Sequence, residues 1–161
     1  MFCKTTSAGY LANHCARLFV LAFAARIQPF GLVAGQFPVL LELWDTDGLT
    51  QKELVERTDV EQATMANTLA RMERDGLIRR TPHPSDRRAQ LVWLSDRAKM
   101  IKDPVISAAI EQNDIALGRL SDAEQELFIA LLRRVVDTLR AERPRARERQ
   151  ELENTAKGHP G

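Results

Sequence analysis

The chain is poor in thiols, in tyrosine and, over its first quarter, in acid. Its two cysteines, Cys3 and Cys15, both lie near the N-terminus. Two such thiols build no disulfide framework, and a reducing, cytoplasmic setting is the simpler expectation. Tyr10 is the only tyrosine, and no aspartate or glutamate precedes Glu42. The three histidines, His14, His83 and His159, are scattered, and no His/Cys pair has structural zinc spacing. No metal site and no cofactor are therefore expected. Net charge is only +1, which excludes a chain that is polybasic throughout. The longest apolar run, residues 18–25, is far too short to span a bilayer. It has the outline of a signal-peptide core, with Ala22-Phe23-Ala24 as a cleavage-like site. Arg17 and Arg26 flank it closely, however, and the buried face of a helix accommodates it better. No hydroxyl, imidazole and carboxylate fall into a catalytic pattern. His14 and Cys15 are adjacent, so on a helix they point apart and form no nucleophile–base pair. The expectation is not an enzyme.

What remains is an ordinary soluble composition with unevenly placed charge. A chain of 161 residues, 44% apolar, suits one domain or a small domain with helical extensions. Between Arg71 and Arg88, six arginines stand against three acids. Apolar positions Leu11, Cys15, Leu18, Phe19, Ala22 and Ile27 recur at helical spacing over residues 10–28, and Pro29 and Gly31 end that helix. A second helix opens at Gly35-Gln36-Phe37-Pro38 and buries Val39, Leu40, Leu43 and Trp44. Thr50-x-x-Glu53 is a capping box, which satisfies two backbone donors at the start of a third helix running to about Arg57. A tight turn through Thr58 and Asp59 follows, with Asp59-x-x-Gln62 placed to cap a fourth helix that stops at Gly76.

Residues 77–81 and 90–94 read as two strands, separated by a breaker-rich loop that carries Asp86-Arg87-Arg88. Ser95 caps a long helix to about Leu117, with Pro104 expected to kink or divide it. Ser121-x-x-Glu124 starts a last helix with Leu127, Phe128, Leu131, Leu132, Val135, Val136 and Leu139 on one broad face. The stretch 143–161 is charged, lacks a core pattern and is expected to be disordered.

Helix, turn, helix and Arg-tipped hairpin, in that order, describe a winged helix-turn-helix, a mainly α fold with a small β wing that fits DNA grooves. On the fourth helix Met65, Leu69 and Met72 share an inward face. Gln62, Thr64, Asn67, Thr68 and Arg71 lie largely elsewhere. Asn67 can pair with adenine in a bidentate way, Thr64 can touch a phosphate or a thymine methyl, and Arg71 reaches a phosphate. Arg87 and Arg88 can enter a narrow minor groove, with Asp86 pairing with Arg88 or another basic residue to hold it in pose. The plainer alternative is a solvated helix face and a merely soluble hairpin.

The sequence resembles the MarR family of winged helix-turn-helix transcription regulators over roughly residues 10–140. The resemblance rests on Leu32-Val33-Ala34-Gly35-Gln36-Phe37, LTQKEL at residues 49–54, LARMERDGLIRR at 69–80, and Ser85-Asp86-Arg87-Arg88-Ala89 leading to Leu94-Ser95. The segment VEQATMANTLARMERDGLIRR looks closest to the SlyA-like branch. The resemblance implies a homodimer whose first and last helices intertwine. It implies two recognition helices in successive major grooves of a pseudo-palindromic operator in double-stranded DNA, about one helical turn apart. It also implies release by small aromatic carboxylates or phenols bound between the dimer helices and the winged lobe. By position, Gln62, Thr64, Asn67 and Thr68 fall on the base-reading part, and Arg87 and Arg88 on the wing tip. SlyA-like members often have arginine where this chain has Asn67, so its operator preference is expected to differ.

The expected organisation is a tail over residues 1–9, a helical dimerisation region over 10–34 and 96–142, the winged helix-turn-helix over 35–95, and a charged tail over 143–161. Phe128, Leu131, Leu132, Val135 and Leu139 form the expected dimer interface. Covering each such side chain is worth roughly 1.5–3 kcal/mol. Tyr10, His14 and Arg17 lie within two turns of one helix and can hold a carboxylate, with Phe37 and Trp44 as further lining. The plainer alternative is that His14 and Arg17 are surface or dimer-contact residues and that Trp44 is core. One branch of the family senses hydroperoxides through an N-terminal cysteine. Cys15 sits about two helical turns too close to Gln36 to match that branch, whose supporting tyrosines are also missing. The expected function is a DNA-binding regulator, most often a repressor in this family, that a ligand releases by shifting the dimer to another spacing. A redox sensor of the same fold, and a protein-interaction winged helix that never touches DNA, stand as alternatives.

Overall fold

The computed structural model describes residues 3–157, with side chains described as far as Arg143. Two compact units result, residues 1–116 and 117–161. The first contains α1 (Ala8–Ile27), α2 (Phe37–Asp45), β1 (Leu49–Thr50), α3 (Gln51–Thr58), α4 (Gln62–Arg74), β2 (Ile78–Pro82), β3 (Gln90–Leu94) and α5 (Asp96–Met100). It also holds most of α6 (Lys102–Leu117), and the second unit is dominated by α7 (Asp122–Lys157).

Local chemistry accounts for most of these boundaries. Ser7 caps α1 by accepting the Tyr10 N–H, so the helix starts earlier than its apolar pattern suggests. The capping box at α3 is formed: Glu53 accepts the Thr50 N–H at 2.7 Å and returns its own N–H to Thr50 Oγ1 at 3.2 Å. Ser121 and Glu124 repeat the arrangement at α7, with the outward bond at 2.8 Å. The α3–α4 turn departs from expectation. Asp59 adopts a left-handed conformation (φ 57°) as the C-cap of α3, and Glu61, not Asp59, is the N-cap residue of α4. Pro104 divides the long helix as expected, with the break at Ile101 and the proline in the first turn of α6, where its missing N–H costs nothing.

The sheet is antiparallel in the order β1-β3-β2. Its β2–β3 hairpin pairs Ile78 with Leu94 through Pro82 with Gln90. The two-residue β1 was not expected; it exists because Leu49 and Thr50 pair with Val92 and Leu91 across the chain. Gly48 precedes it at φ 77°, and a Cβ there would lie 2.5 Å from the Trp93 ring, so only glycine fits. Ile27, Leu40, Leu43, Leu54, Met65, Leu69, Met72, Leu77, Val92 and Val105 are fully buried and form one core under the α3–α4 pair and the sheet.

Two regions differ from the sequence reading. Of the α1 positions expected to be covered, only Ile27 is buried; Leu11 and Leu18 are 47% and 56% exposed. The last turns of the helix reach the core through Phe23 and Ile27, and there Arg26 donates to Gln112 Oε1 and Glu111 Oε2, both at 3.0 Å. By length and composition residues Ala8–Phe30 would suffice to cross a membrane, which the short run at 18–25 does not reveal. The second difference is at the C-terminus. Residues 143–157, expected to be disordered, continue α7 as helix; despite Pro144, the stretch holds four Arg and three Glu, both good helix formers. The end of that expected tail, residues 158–161, lies outside the described residues.

Candidate nucleic-acid interface

α4 is held by its apolar side. Met65, Leu69 and Met72 are fully buried, which turns Gln62, Thr64, Asn67 and Arg71 outward as exposed residues. Thr68, counted with them from sequence, is only half-exposed. The far end of α4 is anchored through Asp75, whose carboxylate accepts from Arg74 and from the buried Gln36 amide at 3.1 Å each. The Arg74 guanidinium first, then Gln36, holds the Asp75 carboxyl below its usual range. Arg97 also donates to the Asp75 backbone carbonyl and, at 3.0 Å, to that of Phe30. Gly76, at φ 69°, then ends the helix and releases the chain into the wing.

The wing turn is organised by two side chains. The His83 ring nitrogen Nδ1 accepts the N–H groups of Ser85 at 3.2 Å and Asp86 at 3.1 Å. Asp86 Oδ1 accepts the N–H of Arg88 at 2.9 Å. Asp86 thus supports the wing through the backbone, and not through the side-chain ion pair expected from the sequence. Two residues of separation in a turn favour this Asx geometry. Arg87 and Arg88 are exposed at the tip. Among the described residues, neither guanidinium is in an ion pair.

A groove of about 610 Å³ lies between these elements, lined among others by Gln51, Lys52, Gln62, His83, Arg87 and Arg88. The fold therefore brings Gln62 of α4 together with the wing arginines. Thr64, Asn67, Thr68 and Arg71 are not in its lining and continue along α4. The lining residues that the sequence reading did not place at the site include Gln51, Lys52 and His83. The first two occupy the opening turn of α3, directly behind a capping box that was legible, so their position at a helix N-terminus was the available signal. Nothing in the sequence distinguished His83. The Glu53 carboxyl at this same turn is held below its ordinary range, first by the Thr50 N–H and then by the Thr50 hydroxyl.

The five residues considered for an acidic ligand do not share one cavity. Tyr10 and His14 meet edge to face at 5.9 Å on the exposed α1. His14 lines a space of about 540 Å³ with Leu11, Cys15, Leu18 and Gln112. Phe37 lines a separate one of about 260 Å³ with Phe23, Val20 and Asn113. Trp44 packs against the core, its Nε1–H donating to the Ala98 carbonyl at 3.0 Å. Arg17 and Tyr10 line neither space. On α7, Leu131, Leu132, Val135 and Leu139 are 43–64% exposed and Phe128 is half-buried, so the apolar face stands open within its own unit. Among the described residues, no group of three or more His, Cys, Asp or Glu is placed to hold a metal ion.

The MarR family profile matches residues 32–89, from just before α2 to the end of the wing loop. Transcriptional regulator HosA of Escherichia coli O111:H- is 38% identical over 106 residues, which cover 66% of this chain and 78% of that protein. The HTH-type transcriptional repressor NicR of Pseudomonas putida is 28% identical over 134 residues, covering 83% and 85%. Among solved structures, BpsR of Bordetella bronchiseptica, whose DNA binding is regulated by 6-hydroxynicotinic acid, superposes with a TM-score of 0.73 at 27% identity, covering 80% of this chain and 97% of that one.

Proposed function

The chain belongs to the MarR family of DNA-binding transcription regulators and is not an enzyme, and from that premise we propose that it is a homodimeric, cytoplasmic repressor released from its operator by a small aromatic acid or phenol. The observation that carries the reading is the groove in which the exposed start of α4 and the free wing arginines meet. A helix of this size suits the major groove, and arginines on a projecting hairpin suit the minor groove beside it. Gln62, Thr64, Asn67 and Thr68 then read bases, while Arg71, Arg87, Arg88 and Lys52 engage phosphates or groove walls. Asp86 and His83 set the pose of the wing.

Dimerisation rests on the uncovered apolar faces of α1 and of α7. A second copy is the occupant that gives the operator a two-fold counterpart. In this reading residues 10–34 and 96–142 form the pairing region, and residues 35–95 the DNA-binding lobe. The same covered state accounts for α1, which meets a partner chain and not a membrane.

Release follows from linkage. A ligand that prefers a dimer with differently spaced α4 helices lowers DNA affinity by its ratio of affinities for the two spacings. The chemistry of the ligand is supported by BpsR, regulated by a hydroxylated pyridine carboxylic acid, and the repressor role by the similarity to NicR. The spaces lined by His14 and by Phe37 are the candidate pockets within one protomer. The test is a thermal-shift screen of aromatic acids on the purified protein, followed by operator release. Hits that raise Tm and free the DNA support the reading; hits that leave the DNA bound refute the release step.

A further inference from the structure

The first helical residues of α3 and α4, Gln51 and Gln62, are joined beside the groove. Gln51 Nε2 donates to Gln62 Oε1 at 3.1 Å. Both side chains line the groove that holds the wing arginines. A single amide–amide bond within reach of water adds little to stability. Its consequence is orientation. A glutamine amide has one acceptor oxygen and two donor hydrogens, and the end it presents decides which base edge it can satisfy. With one lone pair of Oε1 taken by Gln51, the NH2 end of Gln62, whose two hydrogens are both unengaged, is the end better able to serve a partner. Gln51 is itself well placed to impose this, because the formed Thr50–Glu53 capping box fixes the backbone on which it sits.

We infer that Gln51 is a positioning residue for sequence readout, holding Gln62 so that it offers DNA a hydrogen-bond donor. The inference rests on the DNA-reading role proposed for α4. In the major groove guanine offers two acceptors, thymine one, and adenine an acceptor beside its donor, whereas cytosine offers only a donor. A fixed donor at Gln62 therefore finds a partner on three bases and none on cytosine. Cytosine is the base disfavoured at the position facing Gln62.

The experiment is selection of bound sequences from a randomised duplex DNA library by the purified full chain. It compares the unaltered protein with Gln62→Ala, Gln51→Ala, Gln51→Glu and the double Gln51→Ala/Gln62→Ala variant. The unaltered protein disfavours cytosine at one position of each half-site, about 2–10-fold for one hydrogen bond. Gln62→Ala removes that bias, Gln51→Ala weakens it at the same position, and the double variant shows no more loss than Gln62→Ala alone. Gln51→Glu keeps a residue favoured at a helix N-terminus but offers only acceptors. It captures the Gln62 NH2, turns the oxygen outward, and cytosine gains at that position. A merely structural Gln51 lowers affinity for all sequences alike and moves no single base. The inference is overturned if Gln62→Ala shifts a position that both Gln51 variants leave unchanged, or if Gln62→Ala shifts none. Failure of the unaltered protein to enrich any sequence overturns the DNA-reading role itself, and so is distinguishable.

Discussion

The Asp86 carboxylate accepts the backbone N–H of Arg88 at 2.9 Å, so the acid at the wing tip shapes the chain and does not neutralise a cation. The His83 ring gathers the two preceding N–H groups of the same turn. The turn is thus held from inside, and the Arg87 and Arg88 guanidinium groups are left for another partner. Asp86→Asn keeps the accepting oxygen while removing the charge. It is expected to bind a selected operator duplex at least as tightly as the unaltered protein, whereas Asp86→Ala binds about 2–10-fold more weakly. Fluorescence anisotropy titrations decide this. Equal losses for both variants would mean that the charge of Asp86, and not its turn, matters.

Asn67 stands exposed on α4, outside the groove lining. Its amide is of the size that pairs with adenine through two bonds. Asn67→Ala is expected to relax the preference at one operator position by about 1–3 kcal/mol while leaving the others unchanged. An unaltered binding-site logo refutes the contact.

How far these side chains were legible in the sequence depended on range. The capping boxes at Thr50 and Ser121 need only four consecutive residues, and both formed. The strand at Gln90–Leu94 was bounded by turn residues and formed as read. By contrast, β1 is specified by partners about forty residues away, so a two-residue segment carries no local sign of it. Asp59 was misread as the N-cap of α4, when it is the C-cap of α3, because spacing does not reveal a left-handed backbone. The charged end of α7 was misread because high helix propensity and a missing core pattern point in opposite directions. Among site residues, the outward face of α4 followed from period alone. That Gln51 and Lys52 face the wing required the tertiary arrangement, as did the engagement of Trp44 with the Ala98 carbonyl.

Leu132 lies on the open face of α7, 43% exposed in one chain. If a second copy covers that face, a buried carboxylate there is severely unfavourable. Leu132→Asp is expected to run as a monomer, or to aggregate, at micromolar concentrations in light scattering. A mutant that still elutes as a dimer refutes this interface.

Acid should weaken the helix starts. The Thr50 N–H holds Glu53, and the Ser121 N–H holds Glu124, below the ordinary carboxylate range. A depressed folded-state pKa contributes stability that is present above the unfolded value of about 4.3 and is lost as pH falls through the folded value. The urea midpoint of the unaltered protein is therefore expected to drop between pH 5 and pH 3 (roughly that window) more than that of Glu53→Gln/Glu124→Gln. Glutamine keeps an acceptor but cannot titrate. Parallel midpoints across that window contradict the assignment.

The most direct measurement is the salt dependence of DNA affinity for the unaltered protein and for Arg87→Ala/Arg88→Ala. Each lost phosphate neutralisation removes about 0.9 from the slope of log K against log salt. The expected result is weaker binding to every sequence together with a shallower slope, because the proposed role of both cations is to neutralise DNA charge. A double variant with the slope of the unaltered protein would contradict the account, because the wing would then play no part in holding DNA.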